Sequence, residues 1–156
     1  MEELLELRQY IEAKNYDKAL ELVADLEEMS KEDKLNQIYS YGVVLLIPLI
    51  KQQAIKQQAE QRSTRSWEFS IYNAAKEIRR INRRRKSGGY YANKAELAEI
   101  FADAFETAVR KAALGGFEGQ YSNQALQDKI DSAQILAQAL ELVQPDVGTP
   151  HDQAQN

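Results

Sequence analysis

Cysteine is absent from this sequence, and histidine occurs once, as His151 beside Pro150 near the C-terminus. Without cysteine there is no disulfide framework, no thiolate metal site and no cysteine nucleophile. With the single histidine in a terminal stretch, no Ser/His or Cys/His arrangement stands on the folded part. The Glu-x-x-His pairs of helical di-metal sites are missing too. So are the Gly-x-x-x-x-Gly-Lys loop and the Gly-x-Gly-x-x-Gly turn that cradle phosphates. Long apolar runs are scarce as well. The longest without a charge is Tyr41 to Ile50, "YGVVLLIPLI", ten residues where a bilayer span needs about 20. It reads as a buried core helix, with no membrane role. The opening Met1-Glu2-Glu3-Leu4-Leu5-Glu6 is acidic and amphipathic, the reverse of a signal peptide. Together with the missing cysteine it suits a cytoplasmic location. No catalytic residue, cofactor or metal is expected.

What is present points to one all-α domain. At 156 residues, 44% apolar and 28% charged, the chain is long enough to bury a core. Apolar positions recur at helical spacing almost throughout, with no alternating strand pattern. Leu4, Leu7 and Ile11 mark a first helix ending near Lys14-Asn15; Ala19, Leu22, Val23 and Leu26 mark a second. Ser30, followed by Asp33, suits the N-cap of a long third helix from Lys31 towards Gln58, kinked or broken near Pro48 because proline donates no backbone hydrogen bond. A fourth runs from about Trp67 to Arg84, capped by Ser63, Thr64 or Ser66. Ser87-Gly88-Gly89 stops it, and Asn93 with Glu96 forms a capping-box-like restart for the fifth. Gly115-Gly116 ends that helix, and a sixth runs from Ser122 or Asn123 to Val143. The expectation is a bundle of about six helices over residues 1–144, with 145–156 as a disordered tail.

The net charge of −4 hides a segregation. Residues 1–36 carry 5 basic and 11 acidic side chains, residues 51–86 carry 11 basic and 3 acidic, and residues 87–156 carry 4 basic and 10 acidic. The cations concentrate on the fourth helix. Trp67, Ile71, Ala74, Ile78 and Ile81 form an apolar seam on it, while Lys76, Arg79, Arg80, Arg83, Arg84, Arg85 and Lys86 form a basic outer surface. Cations near a helix C-terminus also suit the helix dipole. Acidic stripes answer them on the second helix (Asp17, Glu21, Asp25, Glu28) and on the fifth (Glu96, Glu99, Asp103, Glu106). Such stripes can pair within a bundle or across an interface between molecules, each exposed pair contributing roughly 0–1 kcal/mol.

The run from Asp25-Leu26-Glu27-Glu28 through "VVLLIPLIKQQ" to "RSTRSWEFSIYNAAKEI" resembles the bacterial, chiefly cyanobacterial, domain-of-unknown-function family twenty-nine. Arg62, Ser63, Ser66, Trp67, Ser70, Ile71, Glu77 and Ile78 fall on its Arg-Ser-x-Ser-Trp-x-x-Ser-Ile and Glu-Ile pattern. The similarity is specific over residues 25–80, fainter from Ala104 to Gly119, and poor over the first forty residues. Family members often have a histidine where this chain has Pro48 and an arginine where it has Ala75. The resemblance implies an all-helical fold and no established activity. The motif reads as a locked helix start: Ser66 or Ser63 caps, Trp67 buries, and Arg65 reaches an acidic partner.

The function that fits best is a non-catalytic helical interaction module, self-associating or binding a protein partner through segregated acidic and basic helix faces. The alternative is a nucleic-acid-binding protein using the basic helix over residues 76–86, since phosphate binding needs only clustered Lys and Arg. A weaker alternative is a carboxylate-metal enzyme built on Glu99, Asp103 and Glu106.

Overall fold

The computed structural model describes residues 2–55, 64–84, 88–115 and 122–144. Among these, six helices and no strand occur: α1 (Glu2–Glu12), α2 (Tyr16–Ile55), α3 (Thr64–Asn82), α4 (Lys94–Gly115), α5 (Asn123–Asp128) and α6 (Ser132–Val143). The protein is all-α, as its periodicity predicts. The chain divides into two compact units, Met1–Lys34 and Leu35–Asn156.

In the first unit, α1 ends at the predicted place. Lys14 takes a left-handed conformation, φ 58°. Its N–H donates to the Ile11 carbonyl at 3.0 Å, and the Asn15 N–H donates to the Tyr10 carbonyl at 2.8 Å. These are the two bonds of a Schellman cap, formed here with lysine where glycine is the usual residue. Leu7, Tyr10, Leu22, Val23 and Leu26 are half-buried. Ala19 is the one buried apolar residue among the described residues of this unit.

The second unit holds the core. Ile38, Leu45, Leu46 and Ile50 of α2, Ile78 of α3, Leu97 and Phe101 of α4, Leu126 of α5 and Ile135 of α6 are all fully buried. Burying a side chain of this kind stabilises by about 1.5–3 kcal/mol relative to exposure. α4 packs on both α5 and α6, and α3 packs on α6. Gly42 lets α2 approach α4 closely: a β-carbon there would lie 3.1 Å from two ring carbons of Phe101. The Tyr39 hydroxyl, 3.0 Å from Thr107 Oγ1, joins the same two helices.

Two predicted boundaries are corrected. The second and third predicted helices are one, α2, which runs through Ser30 and through Pro48 without a break. Ser30 costs only a few tenths of a kcal/mol inside a helix, and Leu, Glu and Lys around it are good helix formers, so the local capping signal loses to continuity. Pro48 forgoes the bond to the Val44 carbonyl at a cost of about 3 kcal/mol. Its buried neighbours Leu45, Leu46, Leu49 and Ile50 offset it. Conversely, the sixth predicted helix is two. Asp131 is extended (φ −102°, ψ 100°), and its side chain accepts from the Gln134 N–H as the N-cap of α6. Leu126 and Ile135 stand nine positions apart, two and a half turns at 3.6 residues per turn. On an unbroken helix they would face opposite ways, yet both are fully buried. The break re-aims Ile135 inward. Gln53 of α2 holds this corner: its amide oxygen accepts from the Asp131 N–H, and its Nε2 donates to Gln134 Oε1 at 2.9 Å.

Candidate interaction face on helix α3

α3 is two-faced, and its register decides what each side chain can do. Ala74, Ala75, Ile78 and Ile81 are buried and Ile71 is partly so, which gives the predicted seam plus Ala75. Trp67, which the motif reading has buried, is only half-buried. The helix begins at Thr64, so Ser66 sits within its first turn and is not the cap. Ser70 and Glu77 are half-buried, Arg65 and Ser66 exposed. Arg62, Ser63, Arg85 and Lys86 lie outside the described residues. Pro48 and Ala75, the two departures from the family pattern, are both buried.

Opposite the seam, Arg65, Phe69, Tyr72, Lys76 and Arg80 follow one another at steps of four, three, four and four, the spacing of a single helix face, and Arg83 follows just past the helix end in an isolated bridge with Tyr90. All six are exposed, Phe69 by 67% and Tyr72 by 59%. Phe69 and Tyr72 escape a reading that counts charges alone. Their spacing to Lys76 and Arg80 is visible in the sequence, but only burial shows that the aromatics belong to the outer face.

Several of the basic residues already have local partners. Arg80 Nη2 lies 2.7 Å from Glu77 Oε2 on its own helix. That hydrogen bond holds the Glu77 carboxyl below its ordinary range and raises the Arg80 guanidinium. Arg79 leaves the face: its Nη1 donates to the Leu142 carbonyl at 2.7 Å, satisfying a carbonyl in the last turn of α6 that has no partner within the helix. The Arg84 guanidinium stacks 4.9 Å from the Tyr91 ring centroid, a cation–π contact.

The segment that follows α3 is pinned by a residue the sequence reading overlooked. Asn82 is buried, and its amide pairs with both backbone groups of Ala92: Nδ2 donates to the carbonyl at 3.0 Å, and Oδ1 accepts from the N–H at 2.8 Å. The Tyr91 N–H donates to the Asn82 carbonyl and the Arg84 N–H to the Gly89 carbonyl. The restart of α4 is the expected capping box: the Glu96 N–H donates to Asn93 Oδ1 at 2.8 Å, and the Asn93 N–H to Glu96 Oε1 at 3.3 Å. On α4, Glu99, Asp103 and Glu106 are exposed, and among the described residues no three carboxylates gather where they could hold a metal ion. A cleft of about 360 Å³ between α4 and the α5–α6 corner is lined by Ala102, Phe105, Gln127, Ile130, Ser132 and Leu136. It contains no ionisable group. α2 is long and apolar enough to cross a membrane by length and composition, with 56% of its most apolar stretch buried inside the protein.

Fold and surface together define a helical protein with a basic–aromatic face on one amphipathic helix. The chain matches the family described as "Domain of unknown function DUF29" over residues 4–140 and belongs to it. The match extends well beyond the motif of residues 25–80, into the N-terminal forty residues where that motif gives little agreement. No curated protein and no solved structure matches the chain.

Proposed function

We propose that this protein is a non-catalytic helical interaction module, free in the cytoplasm, whose α3 outer face binds an acidic protein surface that also carries apolar side chains. The observation that carries the reading is the exposure of Phe69 and Tyr72 in line with Arg65, Lys76 and Arg80, with Arg83 exposed just past the helix end. Cations alone make a solvated face; two uncovered aromatic rings in the same line offer apolar area to a partner. Aromatic and arginine side chains are also the residues most enriched where protein interfaces gain their energy. The apolar stretch of α2 contributes to the core, which suits a protein outside the membrane.

Nucleic acid is the second reading, because aromatics interleaved with cations also suit base stacking on a single strand. Charge speaks against it: the chain as a whole is −4, and Arg79 and Arg80 are held by Leu142 and Glu77.

Fluorescence anisotropy separates the two. The probes are a labelled acidic amphipathic helical peptide of alternating Glu and Leu faces, and labelled single-stranded DNA and RNA, at low and near-physiological salt. The expected result is peptide binding that weakens at least tenfold in the Arg80→Glu/Arg83→Glu variant, with circular dichroism unchanged and melting lowered only slightly by loss of the Glu77 pair. Nucleic-acid binding that falls log-linearly with salt would transfer the face to the second reading. Binding to neither probe would make it a solvated surface.

A further inference from the structure

The first unit leaves apolar side chains uncovered. Leu4, Leu5 and Ile11 of α1 and Leu20 of α2 are 49–67% exposed, and of these Leu4 and Ile11 belong to the apolar stripe that the helical spacing of α1 predicts. Around them the unit is strongly acidic, with 11 carboxylates against 5 cations over residues 1–36. Asp17, Glu21, Asp25 and Glu28 line one exposed face of α2 beside Leu20. The α3 face has the complementary composition: uncovered rings at Phe69 and Tyr72 among cations, in a segment where residues 51–86 carry 11 basic and 3 acidic side chains.

Resting on the reading of α3 as a protein-binding face, we propose that its partner is a second copy of this chain. The acidic, apolar N-terminal unit of one copy covers the α3 face of the other. Two features favour a copy over an unrelated acidic helix. The chain itself supplies the required chemistry, carboxylates at helical spacing flanking exposed leucines. In a two-fold dimer the contact is made twice, so a standard interface of about 1,600 Å² in total is shared among four patches of about 400 Å² each. Opposite charge fixes which patch meets which, and apolar contact holds them together.

Sedimentation velocity of the full chain from about 1 to 100 µM tests this. The expected result is a dimer, weakened but not abolished by added salt. Arg80→Glu/Arg83→Glu and Asp17→Lys/Glu21→Lys should each raise the dissociation constant at least tenfold, with circular dichroism unchanged. The mixture of these two variants is decisive. In their heterodimer an acidic unit meets an unaltered α3, and a basic unit meets an acidic α3, so the mixture should recover the dimer. A monomeric wild type, a dimer indifferent to both variants, or a mixture that stays monomeric overturns the proposal. If the wild type is monomeric yet the acidic peptide still binds α3, the face is an interaction surface for another protein and only the identity of the partner falls. If neither occurs, both readings fall.

Discussion

Asn82 shows how a single polar side chain fixes the path of the chain between two helices. Its amide replaces a missing backbone partner for both the N–H and the carbonyl of Ala92, and both residues are buried. Removing the amide strands two backbone groups away from water, each at a cost of about 1–3 kcal/mol. Asn82→Ala should therefore lose about 2–4 kcal/mol in urea denaturation. Asn82→Asp should lose at least as much, because a carboxylate oxygen would then face the Ala92 carbonyl. A loss below about 1 kcal/mol for Asn82→Ala would mean that the segment holds without this clasp.

At the scale of elements, α3 combines a packed seam with an exposed basic–aromatic face, and its charges report on the helix itself. The Arg80 hydrogen bond depresses the Glu77 carboxyl, with the Arg80 and Lys76 charges adding to the effect. A depressed carboxyl stabilises the folded state above its unfolded value, ordinarily 4.5, and that contribution disappears as pH falls through the lowered folded value. Wild type should therefore be slightly more stable than Glu77→Gln at neutral pH, and the two should converge below about pH 4 in thermal melts. The effect is small, since the pair is at the surface. A gap that widens in acid would contradict the pairing. Elements also show where local signals mislead. The Ser30 cap signal is silent within α2 because nothing there requires the chain to turn. Asp131, which the predicted sixth helix runs straight through, caps α6 because Leu126 and Ile135 must both reach the core.

For the whole molecule, burial is unequal. The second unit contains the entire described core cluster, whereas the first contains one buried apolar side chain, Ala19. Local opening free energy follows buried apolar contact, so hydrogen exchange should be faster in α1 and the first turns of α2 than in α4. At concentrations where the chain is monomeric, the difference in protection should be at least about a hundredfold. Uniform protection across α1 and α4 would mean that the first unit is covered by something the single chain does not supply.

Everything that depends on residues three or four apart was open to reading from the sequence: the helical class, the Asn93–Glu96 capping box, the end of α1 at Lys14, and the apolar seam of α3. The segregation of charge was equally plain, because composition along the chain needs no coordinates. Three things needed the tertiary structure. Whether α2 continues through Ser30 and Pro48 depends on the burial of residues around those points. Gly42, Gln53 and Asn82 matter only because Phe101, Gln134 and Ala92, distant in sequence for the first two and across a turn for the third, lie against them. Phe69 and Tyr72 become a surface only once the opposite side of α3 is seen to be buried. Periodicity tells which residues share a face, but only packing decides which face the core covers.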